Sequence, residues 1–192
     1  MKPVILASAS PRRRELLENI GLKFSVDPVE TDEGLDRDVE PRKLAKLISR
    51  EKAVAAAARH RDAVIIAADT FGVMRGKLLG KPVNRAEARE MLKLLSGKSH
   101  TVITGFTIMD SGSGRTCSRA VTTRVSFRKL SEAEIDTYVR SGEPMGKAAG
   151  YAIQGLGSLL VEGIEGDYFN VMGLPVGALA AELKKFGIEV LR

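Results

Sequence analysis

The 192-residue chain contains one cysteine, two histidines and no tryptophan, and aromatic residues make up only 5% of it. With Cys117 alone, no internal disulfide can form, which fits a reducing, cytoplasmic setting. His60 and His100 are far apart in sequence and no cysteine or histidine cluster exists, so a zinc centre is not expected. No Ser/His/Asp set stands out for acyl transfer. Cys117 could use His60 or His100 as a base, but its place beside a Ser-Gly-Ser-Gly turn favours an incidental cysteine. Scarce aromatics leave little for bases to stack on, so nucleic-acid binding is not expected. No apolar run approaches the roughly 18 residues of a membrane span. The apolar stretch 4–7 is too short for a signal peptide and leads straight into charge.

Positive charge is in moderate excess. Lys and Arg total 30 against 24 Asp and Glu, a formal net charge of +6, which favours anionic partners. The basic residues are spread out, and the densest run is Arg12, Arg13 and Arg14. Length and a 44% hydrophobic content suit a single domain over 1–192, with room for two lobes.

Strand-like and helical patterns alternate. Residues 3–7 read as a short buried strand, followed by a helix with Ser10 as N-cap and Pro11 as first residue. Residues 24–26 suggest a strand, and 27–40 an acidic exposed loop. A long helix over 41–60 would turn Leu44, Leu47, Ile48, Ala55 and Ala58 inward. That face places Glu51 near its middle and Lys52 at its edge. Residues 63–68 form a strand-length apolar run that ends at Asp69 and Thr70, with a hairpin around 75–77. Asn84 with Glu87, and Ser131 with Glu134, have capping-box spacing. Residues 100–109 and 121–127 read as antiparallel strands, 159–161 as another, and 175–187 as the last helix. The class is therefore α/β, with a mixed β-sheet and flanking helices.

The candidate chemistry starts at Ser8-Ala9-Ser10-Pro11-Arg12-Arg13. A strand, a small-residue loop and a helix start offer backbone N–H groups to phosphate, although the glycines and lysine of a Walker loop are missing. A helix start disfavours cations, so an anion there would turn a poor charge placement into a good one. Arg12 and Arg13 suit phosphate oxygens, whereas Arg14 has Glu18 one turn on. Asp69, at a strand end, could orient or deprotonate water or hold Mg²⁺, or else simply cap its own turn. Lys52 reads by default as a snorkelling rim residue, and Lys81 as a loop lysine. Asp32 and Glu33 lie in the acidic loop, where either is surface charge or a share of a metal site. Gln154, flanked by Gly155, offers an amide that could read a base edge. Together these groups suit a polyphosphate with a divalent metal.

The same residues carry a resemblance. LASASPRRRELL, REKA (50–53), AADT (67–70), GKP (80–82), SFRKLSEAEI, YVRSGEPMGKAAGYAIQGLG and GDYFNVMGLP run nearly end to end. In these motifs the chain resembles the Maf family of nucleotide pyrophosphatases, also called septum-formation-inhibitor proteins. The resemblance implies an elongated two-lobed fold with a central cleft, similar to the inosine-triphosphate pyrophosphatases. It implies hydrolysis of a nucleoside triphosphate to the monophosphate and pyrophosphate, with Mg²⁺ or Mn²⁺. Ser8, Arg12, Arg13, Lys52 and Lys81 match the family's phosphate site, Asp69 its proton acceptor, and Glu33 with Asp69 its metal-facing carboxylates. Arg12, Thr70 and Gln154 match the selectivity positions of dTTP/UTP-specific members; the 7-methyl-GTP-specific members carry a tryptophan, a glutamine and a glutamate there. A homodimer is compatible with the family. The second reading, of another class, is a non-catalytic regulator of cell division or a nucleic-acid-binding module.

Overall fold

The first apolar run folds as the strand expected of it. β1 (Val4–Leu6) is buried throughout and lies between β2 (Ser25–Val26) and β3 (Val64–Met74), parallel to both. The computed structural model describes residues 2–29 and 38–191. Between β1 and β2 runs α1 (Pro11–Asn19), with Ser10 at its N-cap and Pro11 in its first turn. The Ser10 side chain makes no capping hydrogen bond; instead its N–H donates to Ser8 Oγ at 3.3 Å.

β3 turns back through Arg75 and Gly76, both at positive φ, into β4 (Lys77–Leu79). After α3 (Arg85–Leu95), β5 (Ser99–Asp110) runs antiparallel to β3, and β6 (Thr116–Phe127) runs antiparallel to β5. The sheet order is β2-β1-β3-β5-β6-β7, where β7 (Val161–Glu165) is an edge strand and β4 pairs only with β3. It is a mixed sheet with helices on its faces, the class that the alternating pattern predicts. Asn84 caps α3 through the Glu87 N–H, and a reciprocal Ser131–Glu134 capping box starts α4 (Glu132–Arg140).

Several elements differ in extent from the sequence reading, and one is new. The apolar run at 63–68 is part of an 11-residue strand that continues through Asp69 to Met74. Asp69 is therefore mid-strand; the strand that ends beside it is β1. β7 begins at Val161, and a 3-10 turn at Gly155–Leu159 precedes it. Helix α5 (Tyr168–Met172) has five residues, too few to show a helical period, and was not expected. α6 (Val176–Leu183) is the last α-helix and runs into a 3-10 turn at Lys184–Phe186.

β3 is buried on both faces, and its two-residue period sorts its side chains. Leu6, Ile66, Ala68 and Phe106 join a cluster with Leu16 and Leu17 of α1 and Leu179 of α6. Ile5, Ile65 and Ala67 face Ala53 and Ala56 of α2 (Pro41–Ala57), and Phe71 with Ile103 meets Leu44 and Ile48 of that helix. Consecutive residues Asp69 and Thr70 thus point to opposite faces. A further cluster joins α3 and α4 around Leu92, Phe127, Ile135 and Tyr151.

The inward face of α2 differs from the one expected. Leu44, Ala45, Ile48, Ser49, Lys52, Ala53 and Ala56 are buried, while Leu47 and Ala58 are exposed. Counting only apolar residues rotated the stripe, because Ser49 and Lys52 belong in it. Ser49 is satisfied by Thr107 Oγ1 at 2.9 Å.

Candidate active site

A cleft of about 940 Å³ opens where β1 ends and its chain turns into α1. Ser8, Arg12, Arg13, Lys52, Asp69, Thr70, Lys81 and Gln154 all line it. Glu33 lies outside the described residues.

The centre is a buried ion pair. Lys52 Nζ donates to Asp69 Oδ1 at 2.5 Å, with the two side chains 9% and 5% exposed. Close contact between α2 and the sheet makes it possible. Gly105 is the register partner of Asp69 on β5, and a Cβ placed there would lie 2.0 Å from the Ala45 carbonyl oxygen. Only glycine lets the helix sit this low, and Lys52 follows Ala45 by two turns on the same face. Asp69 Oδ2 takes no hydrogen bond from the described residues. One oxygen is held while the other is left for a ligand, a cation or water.

Arg13 and Arg12, adjacent on α1, occupy different environments. Arg13 is a hub: Nε donates to Gly173 O at 2.8 Å, Nη1 to Ala68 O at 2.8 Å and Ser8 Oγ at 3.0 Å, and Nη2 to Thr70 Oγ1 at 3.1 Å. Its planar fork ties the loop after β1, strand β3 and the chain after α5 together. Thr70 extends the network to Thr104 Oγ1 at 2.9 Å, and Thr104 donates to Asn170 O. Asn170, fully buried, donates to Val102 O and Thr123 Oγ1 and so anchors α5 to the sheet. Arg12 makes no hydrogen bond or ion pair with the described residues and remains half-buried in the cleft. Arg14 pairs with Glu18 at 2.7 Å in solvent, as the four-residue spacing predicts.

Gln154 is half-buried, and its amide also makes no hydrogen bond with the described residues. The turn that follows it is held by Glu143, whose carboxylate accepts from the N–H of Leu156 at 3.1 Å and of Gly157 at 2.8 Å, and from Tyr138 Oη at 3.0 Å. Tyr138 Oη in turn accepts from Ala152 N at 3.0 Å. Lys81, exposed at the rim, follows Gly80, whose carbonyl accepts from Ala149 N at 2.8 Å. Sequence reasoning did not single out Glu143, Lys147 or Tyr151 in the cleft wall, although all three fall within motifs quoted above. Behind Tyr151 sits His100, 3.1 Å from the phenol oxygen; burial pulls its pKa down to about 4.

No group of three or more His, Cys, Asp or Glu side chains able to hold a metal ion is found among the described residues. Mg²⁺ commonly takes one or two carboxylates and completes its shell with water and substrate phosphate oxygens. The free oxygen of Asp69 in a phosphate-sized, cationic cleft fits that mode. No helix among the described residues is long and apolar enough to cross a membrane.

Known proteins share this chain's sequence over its whole length. A dTTP/UTP pyrophosphatase from Desulforamulus reducens is 46% identical over 191 residues, covering 100% of both chains. One from Pelotomaculum thermopropionicum is also 46% identical over 191 residues, again covering 100% of both. One from Bacillus anthracis is 45% identical over 190 residues, 99% of this chain and 98% of that one. A solved HAM1 protein from Coxiella burnetii is similar at a TM-score of 0.48 and 16% identity, over 68% of this chain and 75% of that chain. The family model described as Maf-like protein matches residues 3–186, and the chain belongs to that family.

Proposed function

We propose that this protein hydrolyses dTTP and UTP, and modified pyrimidine triphosphates, to the nucleoside monophosphate and pyrophosphate. The observation that carries the proposal is the Lys52–Asp69 pair: a buried carboxylate with one oxygen fixed and one free, facing a cleft with cations on its walls. Relatives that span the full chain and are named dTTP/UTP pyrophosphatases support the choice of substrate.

In this reading Asp69 Oδ2 accepts a hydrogen bond from the attacking water and takes its proton as oxygen adds to the α-phosphorus and the bond to the bridging α–β oxygen breaks. Lys52 fixes the carboxylate rotamer and keeps positive charge beside the developing one. Arg12 and Lys81 hold phosphate oxygens, and Ser8 contributes its hydroxyl. Arg13, bonded to oxygens of Gly173, Ser8, Ala68 and Thr70, serves mainly to fix Ser8 and Thr70 at the phosphate site. Positioning and electrostatics carry most of the rate. Asp69 and Glu33 are the carboxylates that would hold a divalent cation such as Mg²⁺ or Mn²⁺, which would supply charge neutralisation; with the cation on Asp69, Oδ2 would orient the water rather than take its proton.

Gln154 would read the pyrimidine imide edge, since an amide can both donate and accept. Thr70, turned toward Arg13, would affect selectivity through that hub rather than through the base. The proposal treats 1–192 as one domain with two lobes about one cleft, acting in the cytoplasm, with homodimerisation open to it. Pyrophosphate release from a panel of dTTP, UTP, CTP, ITP and 7-methyl-GTP with Mg²⁺ tests it. Release from dTTP and UTP before the others is expected; a preference for 7-methyl-GTP would overturn the assignment of Arg12, Thr70 and Gln154. The second reading, a non-catalytic regulator, would require no release from any of them together with tight DNA binding at moderate salt.

A further inference from the structure

Two cations in the cleft wall lack a partner among the described residues. Lys147 is half-buried, lines the cleft, and its ammonium makes no hydrogen bond or ion pair with the described residues; Arg12 is in the same condition. Both line the same cleft. Burial, then the Arg12 charge, push the Lys147 pKa below its ordinary value, and Glu143 opposes this. Glu143 acts on Lys147 from the same cleft, yet its oxygens are committed to Tyr138 Oη and the N–H groups of Leu156 and Gly157. Like charges held together in a half-buried wall raise the energy of the empty protein, and an anion placed between them removes that cost.

The backbone shows that this position is enforced. Ala149, two residues on, has φ 58°, in the left-handed region that a side chain disfavours, and is 1% exposed. Such a conformation persists only where the surroundings over-determine it, and it clusters at functional sites. Here Ala149 N donates to Gly80 O at 2.8 Å, Gly150 N donates to Lys147 O at 3.0 Å, and Lys147 N to Pro144 O at 3.2 Å. Space is tight as well, since a Cβ at Gly72 of β3 would lie 2.9 Å from Ala149 Cβ. The Gly80 bond fastens the Lys147 turn to the loop that carries Lys81. The cleft that Arg12 lines therefore also presents Lys81 and Lys147, from two segments joined by that bond.

We infer that Lys147 is a substrate-contacting residue which, with Arg12, grips a phosphate oxygen of the bound triphosphate. This rests on the nucleotide reading above. A surface lysine that happens to border the cleft is the competing account.

The test uses inorganic tripolyphosphate as a binding probe, alongside dTTP turnover with Mg²⁺, on the full chain. Lys147→Gln is expected to weaken tripolyphosphate binding and raise KM for dTTP about tenfold, the effect of losing one charge-assisted hydrogen bond. Lys147→Arg is expected to bind within about threefold of wild type, and Lys147→Gln to flatten the salt dependence of binding, because one fewer cation meets the phosphates. A thermal midpoint within about 2 °C of wild type shows that the fold is intact. Wild type that turns over dTTP, beside Lys147→Gln with unchanged KM and tripolyphosphate affinity, overturns this inference and leaves the nucleotide reading standing. Wild type that releases pyrophosphate from no triphosphate overturns the nucleotide reading instead.

Discussion

Lys52 and Asp69 form one buried pair, 2.5 Å apart, across the contact between α2 and β3. The arrangement binds stability and chemistry together, and the two can be separated by substitution. Removing one partner leaves an uncompensated charge in a nearly closed setting. Lys52→Met is expected to cost about 3 kcal/mol of unfolding free energy. The double variant Lys52→Met/Asp69→Asn should recover part of that loss while remaining inactive. A double-mutant cycle from urea unfolding, with turnover measured on the same samples, checks both halves.

Gly105 sets the depth of α2 on the sheet. Gly105→Ala places a methyl group where the Ala45 carbonyl oxygen now lies 2.0 Å from the ideal Cβ position. Loss of about 3 kcal/mol is expected, together with reduced kcat as Lys52 is lifted away from Asp69. Unchanged kcat in a destabilised Gly105→Ala would show that catalysis does not depend on this packing.

The adjacent arginines should respond differently. Arg13→Lys cannot reproduce four hydrogen bonds to oxygens of Ser8, Ala68, Thr70 and Gly173 from a single ammonium. It is expected to lose about 2 kcal/mol of stability as well as activity. Arg12→Ala, with no hydrogen-bond or ion-pair partner among the described residues, should leave the melting temperature near wild type and raise KM for dTTP about tenfold. Calorimetric melting beside steady-state kinetics distinguishes them.

His100 predicts a pH dependence of stability. Burial lowers its folded-state pKa to about 4, whereas the unfolded chain protonates near the ordinary value of 6.5. Between those values the unfolded state binds more protons, so this contribution is fully present above about pH 6.5 and lost as pH falls toward 4. Roughly 2 kcal/mol should disappear between pH 7 and pH 5. His100→Gln, which cannot titrate, should flatten the difference in urea unfolding at the two values.

Much of the site was legible in the sequence, though not always for the right reason. Asp69 was noticed as a strand end, but β3 runs five residues further, because nothing in FGVM breaks a strand. The rule that ligands gather beyond strand ends applies here to β1, its parallel neighbour. Lys52 falls at the rim of a helix face defined by apolar residues alone; a buried charge with a buried partner gives no signal in such a pattern. Local physics treated Arg12 and Arg13 alike, since the acceptors that occupy Arg13 come from Ala68, Thr70 and Gly173, far along the chain. Lys147 gave no local signal either. Its role depends on a turn fastened to Gly80, sixty-odd residues away in sequence. The Ser131–Glu134 capping box, the Asn84 cap and the β5–β6 hairpin, by contrast, are readable because their determinants lie within a few residues of one another.

Pyrophosphate release from dTTP, with Mg²⁺, by wild type and by Asp69→Asn tests the central claim most directly. The account predicts release of pyrophosphate with dTMP in equal amounts by wild type, and a loss of between about a hundredfold and ten-thousandfold in Asp69→Asn. Turnover by Asp69→Asn at the wild-type rate, in a folded sample, would contradict it.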